Sequence, residues 1–579
     1  MAIFGTLCKL RISSFASLLL CLASVSAARA GEPVKLATSL RFDLVADGQV
    51  REIDQGEVVE GTGSITRMNW VALEERPHGY TINAPITHRG WREVAIRFVP
   101  KNSGSVTIAL MGPWEEASKG VVFRQEVYWD AISASGARLA GGGFEPSASS
   151  PLAGWEGRGG SIERQSASVR AIDGTHFART WHNETLATKL RVTGGRPVNL
   201  RLYARAVVPP GFREMARISG HSTPAHAAAE HFLRGANLGN DFEVPPGQNW
   251  AVPYTTEDIR HIAEEGFDHV RIPVGWHHYT GPAPGYRIDP KILARVDTLV
   301  NAALDRKLAV MVNIHHFDAF TTDPTGETPR FLAIWRQVAA HYLNKSPLLA
   351  FELLNEPREA ATTEAICPIY ALAIEEIRKV DPRRVIFVGP GKWNSVSELQ
   401  KLVLPPDRNL IVTVHSYDPF YFTHQGASWT GPDTQVSGII FPGPPVSPLV
   451  IDPKLKVSPG VKSWMDAYNT EPTEKNPSSP RAFLGVIQEA REWSEYYGRP
   501  IHFGEFGCYT KADPKSRAQY YRHFREAAEK AGVGWAIWDW RAGFNYWDAA
   551  KARPEPGLHE ALFDKSSVTK SGVRKPVAR

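Results

Sequence analysis

The chain has 579 residues, 43% hydrophobic and 22% charged, a globular composition that excludes collagen-like repeats and wholesale disorder and predicts more than one folded unit. Its formal charge of +5 is located at the two ends, in Lys9, Arg11 and Arg29 and in Lys565, Lys570, Arg574, Lys575 and Arg579. What remains is a slightly acidic body, without the basic stripe or patch that nucleic-acid binding requires.

In chain order, Lys9 and Arg11 precede an apolar run from Ile12 to Val25, followed by small residues up to Ala28-Arg29-Ala30. This pattern predicts a secretory signal over 1–30, cleaved after Ala30, because the run falls short of the ~20 residues that span a bilayer. Cys8 and Cys21 belong to that segment, so Cys367 and Cys508 alone remain, which excludes a disulfide framework and leaves open whether the two pair. Neither zinc-ligand spacing nor a HExxH signature is present, and no metal or cofactor is expected.

Residues 31–210 read as a β-sandwich of jelly-roll type. Short alternating runs such as Glu93–Val99, Ser105–Leu110 and Val198–Ala204 are broken by Gly, Ser, Pro and Asn. Pro209-Pro210-Gly211 and the polar stretch from Ser219 predict a linker over 211–229. From 230 to 565 the period changes. Apolar β runs alternate with helical patterns over Asp289–Lys307, Pro329–Asn344, Ala365–Val380 and Ser516–Ala531. The β runs are Leu233–Asn237, Phe267–Ile272, Ala309–His316, Leu348–Asn355, Arg384–Gly389, Leu410–Tyr417, Pro500–Phe506 and Gly534–Trp540, which is the set a (β/α)8 TIM barrel needs. Phe420–Pro480 is too long and too rich in Pro and Gly for an ordinary turn, and 566–579 is a basic tail.

Active sites of such barrels lie at the C-terminal strand ends. There the runs carry Arg271, His315-His316, Asn355-Glu356, His415-Ser416-Tyr417, Glu505 and Trp538. Alternation sharpens this, since residues i and i+2 share a face. Val310, Val312 and Ile314 are expected to meet the helices, leaving Asn313 and His315 inside. Val412 and Val414 point out, with Thr413, His415 and Tyr417 in. On the fourth run Ala350, Glu352, Leu354 and Glu356 are expected inside, with Glu352 as a structural acid deep in the barrel. Two inward carboxylates facing one gap, Glu356 and Glu505, are what glycosidic cleavage requires.

These residues carry a resemblance. Gly235-Ala-Asn-Leu-Gly239, Arg271, His315-His316, Leu354-Asn-Glu-Pro357, His415-Ser-Tyr417, Gly504-Glu-Phe-Gly507 and Trp538 are similar, in order and over about 300 residues, to glycoside hydrolase family 5, the cellulase-type family of retaining TIM-barrel glycosidases. The resemblance implies Glu356 as general acid/base and Glu505 as nucleophile. It implies substrate-binding roles for Arg271, His315, His316, Asn355, His415, Tyr417 and Trp538, with Asn355 on the sugar 2-hydroxyl and Trp538 beneath the ring. The implied activity is that of a secreted, retaining endo-β-1,4-glucanase, with β-mannanase, another β-glucanase or a non-catalytic polysaccharide binder as the competing readings. The partner is then a polysaccharide, with no nucleic acid and no membrane after signal cleavage, and the chain is expected to act as a monomer.

Of the seventeen tryptophans, Trp276, Trp393, Trp429 and Trp540 follow strands or lie in the long loop and are candidates for the groove. His277 and His278 beside Trp276 read equally well as sugar contacts or as solvated loop residues. In the N-terminal domain, Ala140-Gly-Gly-Gly-Phe-Glu-Pro146 with Gly154-Trp155 resembles the openings of carbohydrate-binding modules of the family 4 and 9 type, with Trp70, Trp114, Trp129 and Trp181 as available aromatics. A domain that serves only to support the barrel is the equal alternative.

Overall fold

The computed structural model describes residues 33–47, 53–58, 72–76, 79–220 and 222–564. The expected signal segment, Trp70 and the basic tail lie outside the described residues. The chain divides between Phe212 and Arg213 into two units. The first holds two large antiparallel sheets and a small pair, Glu116–Ser118 with Val121–Val122. One runs Ala137–Arg138, Thr185–Val192, Gly104–Met111, Ser39–Asp47, Gly79–Pro85, Ala72–Arg76, with Glu156–Arg158 also on Thr185–Val192. The other runs Ser161–Arg164, His176–Thr180, Val127–Ser135, Val198–Ala206, Arg92–Pro100, Ile53–Val58. Alternation is followed closely: in Val198–Ala206 every second residue, Val198, Leu200, Leu202, Ala204 and Ala206, is buried. Residues of both sheets share one core, where Phe42 meets Trp129 edge to face at 6.2 Å.

The second unit is a closed barrel of eight parallel strands. In order these are β1 (Arg234–Asn237), β2 (His269–Ile272), β3 (Ala309–Asn313), β4 (Leu349–Glu352), β5 (Ile386–Val388), β6 (Leu410–His415), β7 (Ile501–Phe506) and β8 (Gly534–Ile537). Every residue of these strands except Arg234 is buried, as expected of strands with helices on one side and a packed interior on the other. Val310, Val312, Ile314, Leu349, Phe351, Val412 and Val414 join the large core against the helices, while Ala309, Met311, Ala350, Phe387 and Ile411 form a smaller cluster inside the barrel. The helices follow their sequence patterns: Pro290–Asp305 begins with Asp289 accepting from Lys291 N at 2.8 Å and buries Ile292, Val296, Leu299, Val300 and Ala303 on one stripe.

Two stretches carry more structure than their composition suggests. The linker stretch contains a helix, Pro224–Ala229, whose Ala225 packs with Phe232 into the barrel-interior cluster. Its Thr223 cap and Pro at the first turn are local helix signals that the polar composition obscured. The long segment after β6 is also structured, with a helix over Pro459–Thr470 capped by Ser458 and burying Val461, Met465 and Tyr468. Cys367 and Cys508 are both buried free thiols. No helix among the described residues is long and apolar enough to cross a membrane.

Candidate active site

At the C-terminal end of the barrel a cleft of ≈ 1210 Å³ is lined by His315, His316, Asn355, Glu356, His415, Tyr417, Glu505 and Trp538, together with Asn240, Trp250, Lys392, Trp393, Asp418, Phe420, His424, Trp429, Tyr509 and others. Most of the chemistry lies one to four residues past the strand ends. β3 stops at Asn313, β4 at Glu352 and β8 at Ile537, so His315, Asn355, Glu356 and Trp538 belong to the first residues of the loops. Leu354, expected inside, packs outward with Leu353 in the helix-side core. Strict alternation ends with the strand. Glu356 then takes a left-handed φ of 46°, a conformation that ordinary side chains resist, and this brings Asn355 and Glu356 to the site together.

Glu505 reaches the interior by a different device. Ile501, Phe503 and Phe506 face the helices, so unbroken alternation would turn Glu505 outward with Phe503. The pairing of β6 with β7 instead shifts by one residue, from Val414 opposite Phe503 to His415 opposite Glu505. This bulge leaves Gly504 as the surplus residue and re-aims the carboxylate. Only glycine fits there, because a Cβ would fall 2.6 Å from Thr413 Oγ1 and 3.0 Å from His415 Nε2. Gly239 plays a similar role, since a Cβ on it would stand 2.7 Å from the Trp538 indole.

Glu356, His415 and Glu505 each offer one ligand-type atom within 4.8 Å of the others. An imidazole with two carboxylates is also a donor set that suits a metal ion, though hydrolysis by a carboxylate pair needs none. Behind Glu505 lies Arg271, fully buried. It donates to Glu352 through Nε at 2.6 Å and Nη2 at 3.1 Å, to Asn237 Oδ1 at 2.8 Å and Glu505 Oε1 at 2.7 Å through Nη1, and to Asn355 Oδ1 at 2.7 Å through Nη2. All five guanidinium hydrogens are thus in use, and Arg271 lines no part of the cleft. Expected among the substrate contacts, it lies behind Glu505 with every hydrogen given to the protein. Glu352 is the deep structural acid that alternation predicts, paired with Arg271 at full burial.

The two carboxylates have unlike surroundings. Burial pushes the Glu356 carboxyl up to about 7, despite the opposing charges of Arg271 and Arg358. Burial also raises Glu505, but His415 and Arg271 pull it back, and Tyr417 donates its phenol hydrogen to Oε2 at 2.7 Å. His415, lowered to about 4 by burial, is neutral at ordinary pH, with Nδ1 2.8 Å from Glu356 Oε1 and 3.6 Å from Glu505 Oε2. Asn355 accepts from Arg271 through Oδ1, while its buried Nδ2 has no partner among the described residues. His315 accepts from Asn313 Nδ2 at Nδ1 (3.1 Å), which leaves an Nε2 hydrogen for another acceptor, and stacks on Trp538 at 5.6 Å and 7°.

The structure sorts the aromatic candidates. Trp393 and Trp429 line the cleft and are 54% and 59% exposed. Trp276 and Trp540 do not: both are completely buried, their indole nitrogens donating to Asn313 O at 2.9 Å and Asp258 Oδ1 at 3.1 Å. Each is a large ring beside a buried acceptor, and burial wins. His277 stacks on Phe317 at 4.4 Å, and neither it nor His278 lines the cleft. Trp250, Phe420, Tyr509 and Lys392 are cleft residues that sequence reasoning missed. Trp250 had a signal in its place on the loop after β1. In the N-terminal unit Trp129 and Trp181 are buried and Trp114 is exposed.

A family model described as cellulase (glycosyl hydrolase family 5) matches residues 230–543, more than half of the chain. The chain belongs to that family. Among curated relatives of this cellulase-family chain, Endoglucanase H of Acetivibrio thermocellus is 30% identical over 64% of the chain and 37% of its own length. Endoglucanase C of the same organism is 28% identical over 54% of the chain and 91% of its own length. The chain spans 37% and 53% of the lengths of Endoglucanase H and of Endoglucanase 3 of Fibrobacter succinogenes. Among solved structures, endoglucanase Cel5A of Thermotoga maritima is 34% identical with a TM-score of 0.51, covering 59% of this chain and all (100%) of that one. The same protein has been solved with mannotriose.

Proposed function

We propose that this protein is a secreted, retaining endo-β-1,4-glucanase. The observation that carries the reading is the pair Glu356 and Glu505, with carboxylate oxygens within 4.8 Å of each other in an aromatic-lined cleft. That spacing suits direct attack on the sugar, because retaining enzymes hold their carboxyls ~5–5.5 Å apart and inverting ones leave room for a water at ~6.5–9.5 Å. Glu505, held by Arg271 and Tyr417, attacks the anomeric carbon. Glu356, whose raised pKa keeps it protonated, passes its proton to the leaving oxygen as the glycosidic bond breaks. Water then enters, gives its proton to Glu356 and releases the sugar from Glu505 with its configuration retained.

Asn355 Nδ2 and the free nitrogen of His315 suit sugar hydroxyls, and Trp538 suits the apolar face of the ring. Exposed rings on three loops, Trp250, Trp393 and Trp429, favour an extended chain over a short terminal residue and hence endo action. One chain supplies every group of the cleft, which fits a monomer, and the pattern of residues 1–30 supports secretion. β-Mannanase action is the second reading, favoured by the relative solved with mannotriose. Reducing-sugar release from carboxymethylcellulose, barley β-glucan, xyloglucan and mannan decides between them. A first product of inverted configuration, resolved by NMR, would refute the retaining scheme.

A further inference from the structure

The turn after β5 does more than present Trp393 to the cleft. Lys392, Trp393 and Asn394 take φ of 53°, 58° and 54°, three successive left-handed residues, of which only asparagine visits that region readily. The turn is anchored. Gly391 N donates to Thr363 Oγ1 at 2.9 Å and Trp393 N to Pro357 O at 3.1 Å, next to the acid/base. As a result Asn394 is completely buried, its amide against Gly389, with Nδ2 3.4 Å from His415 Nε2. In this orientation of the amide, whose Oδ1 is buried without a partner among the described residues, the nitrogen donates, so Nε2 accepts and the neutral ring carries its hydrogen on Nδ1. The far side of the ring agrees. A bare Nδ1 lone pair facing Glu356 at 2.8 Å and Glu505 at 3.6 Å would be tolerated only while Glu356 held a proton.

On the reading of this chain as a retaining glycosidase, we propose that Asn394 is a positioning residue that fixes His415 as its Nδ1–H tautomer, a permanent donor toward the catalytic carboxylates. When Glu356 gives its proton to the leaving oxygen and becomes a carboxylate, Nδ1–H meets it. When water restores that proton, His415 keeps its own hydrogen throughout. In the opposite tautomer Nδ1 would hold the Glu356 proton in the resting enzyme and turn it away from the glycosidic oxygen. The other charged or titratable groups facing His415 are Arg271, Glu352, Glu505, His315 and His502. None of them contacts Nε2 by a hydrogen bond, so among the described residues Asn394 is the partner on that side of the ring.

The test is ring-nitrogen NMR on the full chain labelled with 15N-histidine, with the His415 signals assigned by their loss in His415→Asn. The wild type is expected to carry hydrogen on Nδ1 and a bare Nε2. Asn394→Asp, which tolerates the same backbone, offers an acceptor and is expected to move the hydrogen to Nε2. In that variant kcat/KM on cellooligosaccharides should fall more than about tenfold, whereas dinitrophenyl cellobioside, whose leaving group needs no proton, should change less than about twofold. A wild-type ring with hydrogen on Nε2 overturns the proposal, as does an equal loss on both substrates. The wild-type spectrum decides even if Asn394→Asp does not fold, and Asn394→Gly, free of backbone strain, should then give a mixture of tautomers. A wild type that cleaves no glycan refutes the glycosidase reading and leaves the tautomer result standing.

Discussion

Replacing Tyr417 with phenylalanine removes one hydrogen atom's worth of support from the nucleophile and little else. The phenol is held far above its ordinary pKa by burial and by Glu505, so it stays protonated and donates at every working pH. Its hydrogen bond to Glu505 Oε2, at 2.7 Å, forms in full only with the ionised carboxylate. A bond to a charged group contributes about 1.5–3 kcal/mol, and 1.36 kcal/mol is one pH unit, so Tyr417→Phe should raise the Glu505 pKa by about 1–2 units. The sign follows. The nucleophile needs its charge, so the acidic limb of kcat/KM moves to higher pH, while the alkaline limb, set by loss of the Glu356 proton, stays near its place. The assay is the pH dependence of kcat/KM on a soluble glucan between about pH 3 and 9, a window wide enough to bracket both limbs. An acidic limb unmoved within about 0.3 unit, where a shift of a whole unit is expected, would refute the assignment of Glu505 as the ionised nucleophile held by Tyr417.

Glu356→Gln should lower kcat on natural glucans by about 10²–10⁴-fold, remove the alkaline limb near pH 7 and spare activated aryl glycosides. Arg271→Lys keeps a charge but cannot make five bonds to four residues. Loss of about 3–5 kcal/mol of stability in urea melts is expected, as for other broken buried pairs, and unchanged stability would contradict the network. Trp429→Ala and Trp393→Ala should raise KM on polymers several-fold and leave turnover of aryl cellobiosides nearly unchanged, read from initial rates. Stability should also fall steeply in acid. His277, His316 and His424 are held by burial at about 2, 4 and 3, so each contributes its full stability above the unfolded value near 6.5 and loses ~1.4 kcal/mol per pH unit below it. Glu356, Glu243 and Asp539, raised by burial to about 7, 8 and 7, act oppositely and gain stability as pH falls toward 4.5. Thermal scans should therefore show a shallow plateau between about pH 7 and 4.5 and a drop below it.

Alternation read the barrel walls well where strands are regular. It assigned Val310, Val312, Val412 and Val414 to the helices and Glu352 to the interior. It failed where backbone irregularity does the aiming. Leu354 turns outward because the strand ends two residues earlier, and Glu505 turns inward because Gly504 is surplus. No periodicity contains either fact, and Glu505 was legible from its place at a strand end and from the resemblance. Composition misled at 224–229, where a capping threonine and a proline outweighed polar character. Trp276 and Trp540 were indistinguishable from groove residues because sequence position does not say whether a carbonyl or carboxylate waits beneath the ring. The role of Asn394 was invisible for the same reason, since it depends on three successive left-handed residues.

Arg271 fastens four barrel strands or their ends at one point: its own β2, Asn237 on β1, Glu352 and Asn355 at β4, and Glu505 on β7. The nucleophile is therefore held by the same clasp that closes the scaffold. Catalytic power should persist undiminished in heated samples until the scaffold itself comes apart, with inactivation and global melting arriving at one temperature.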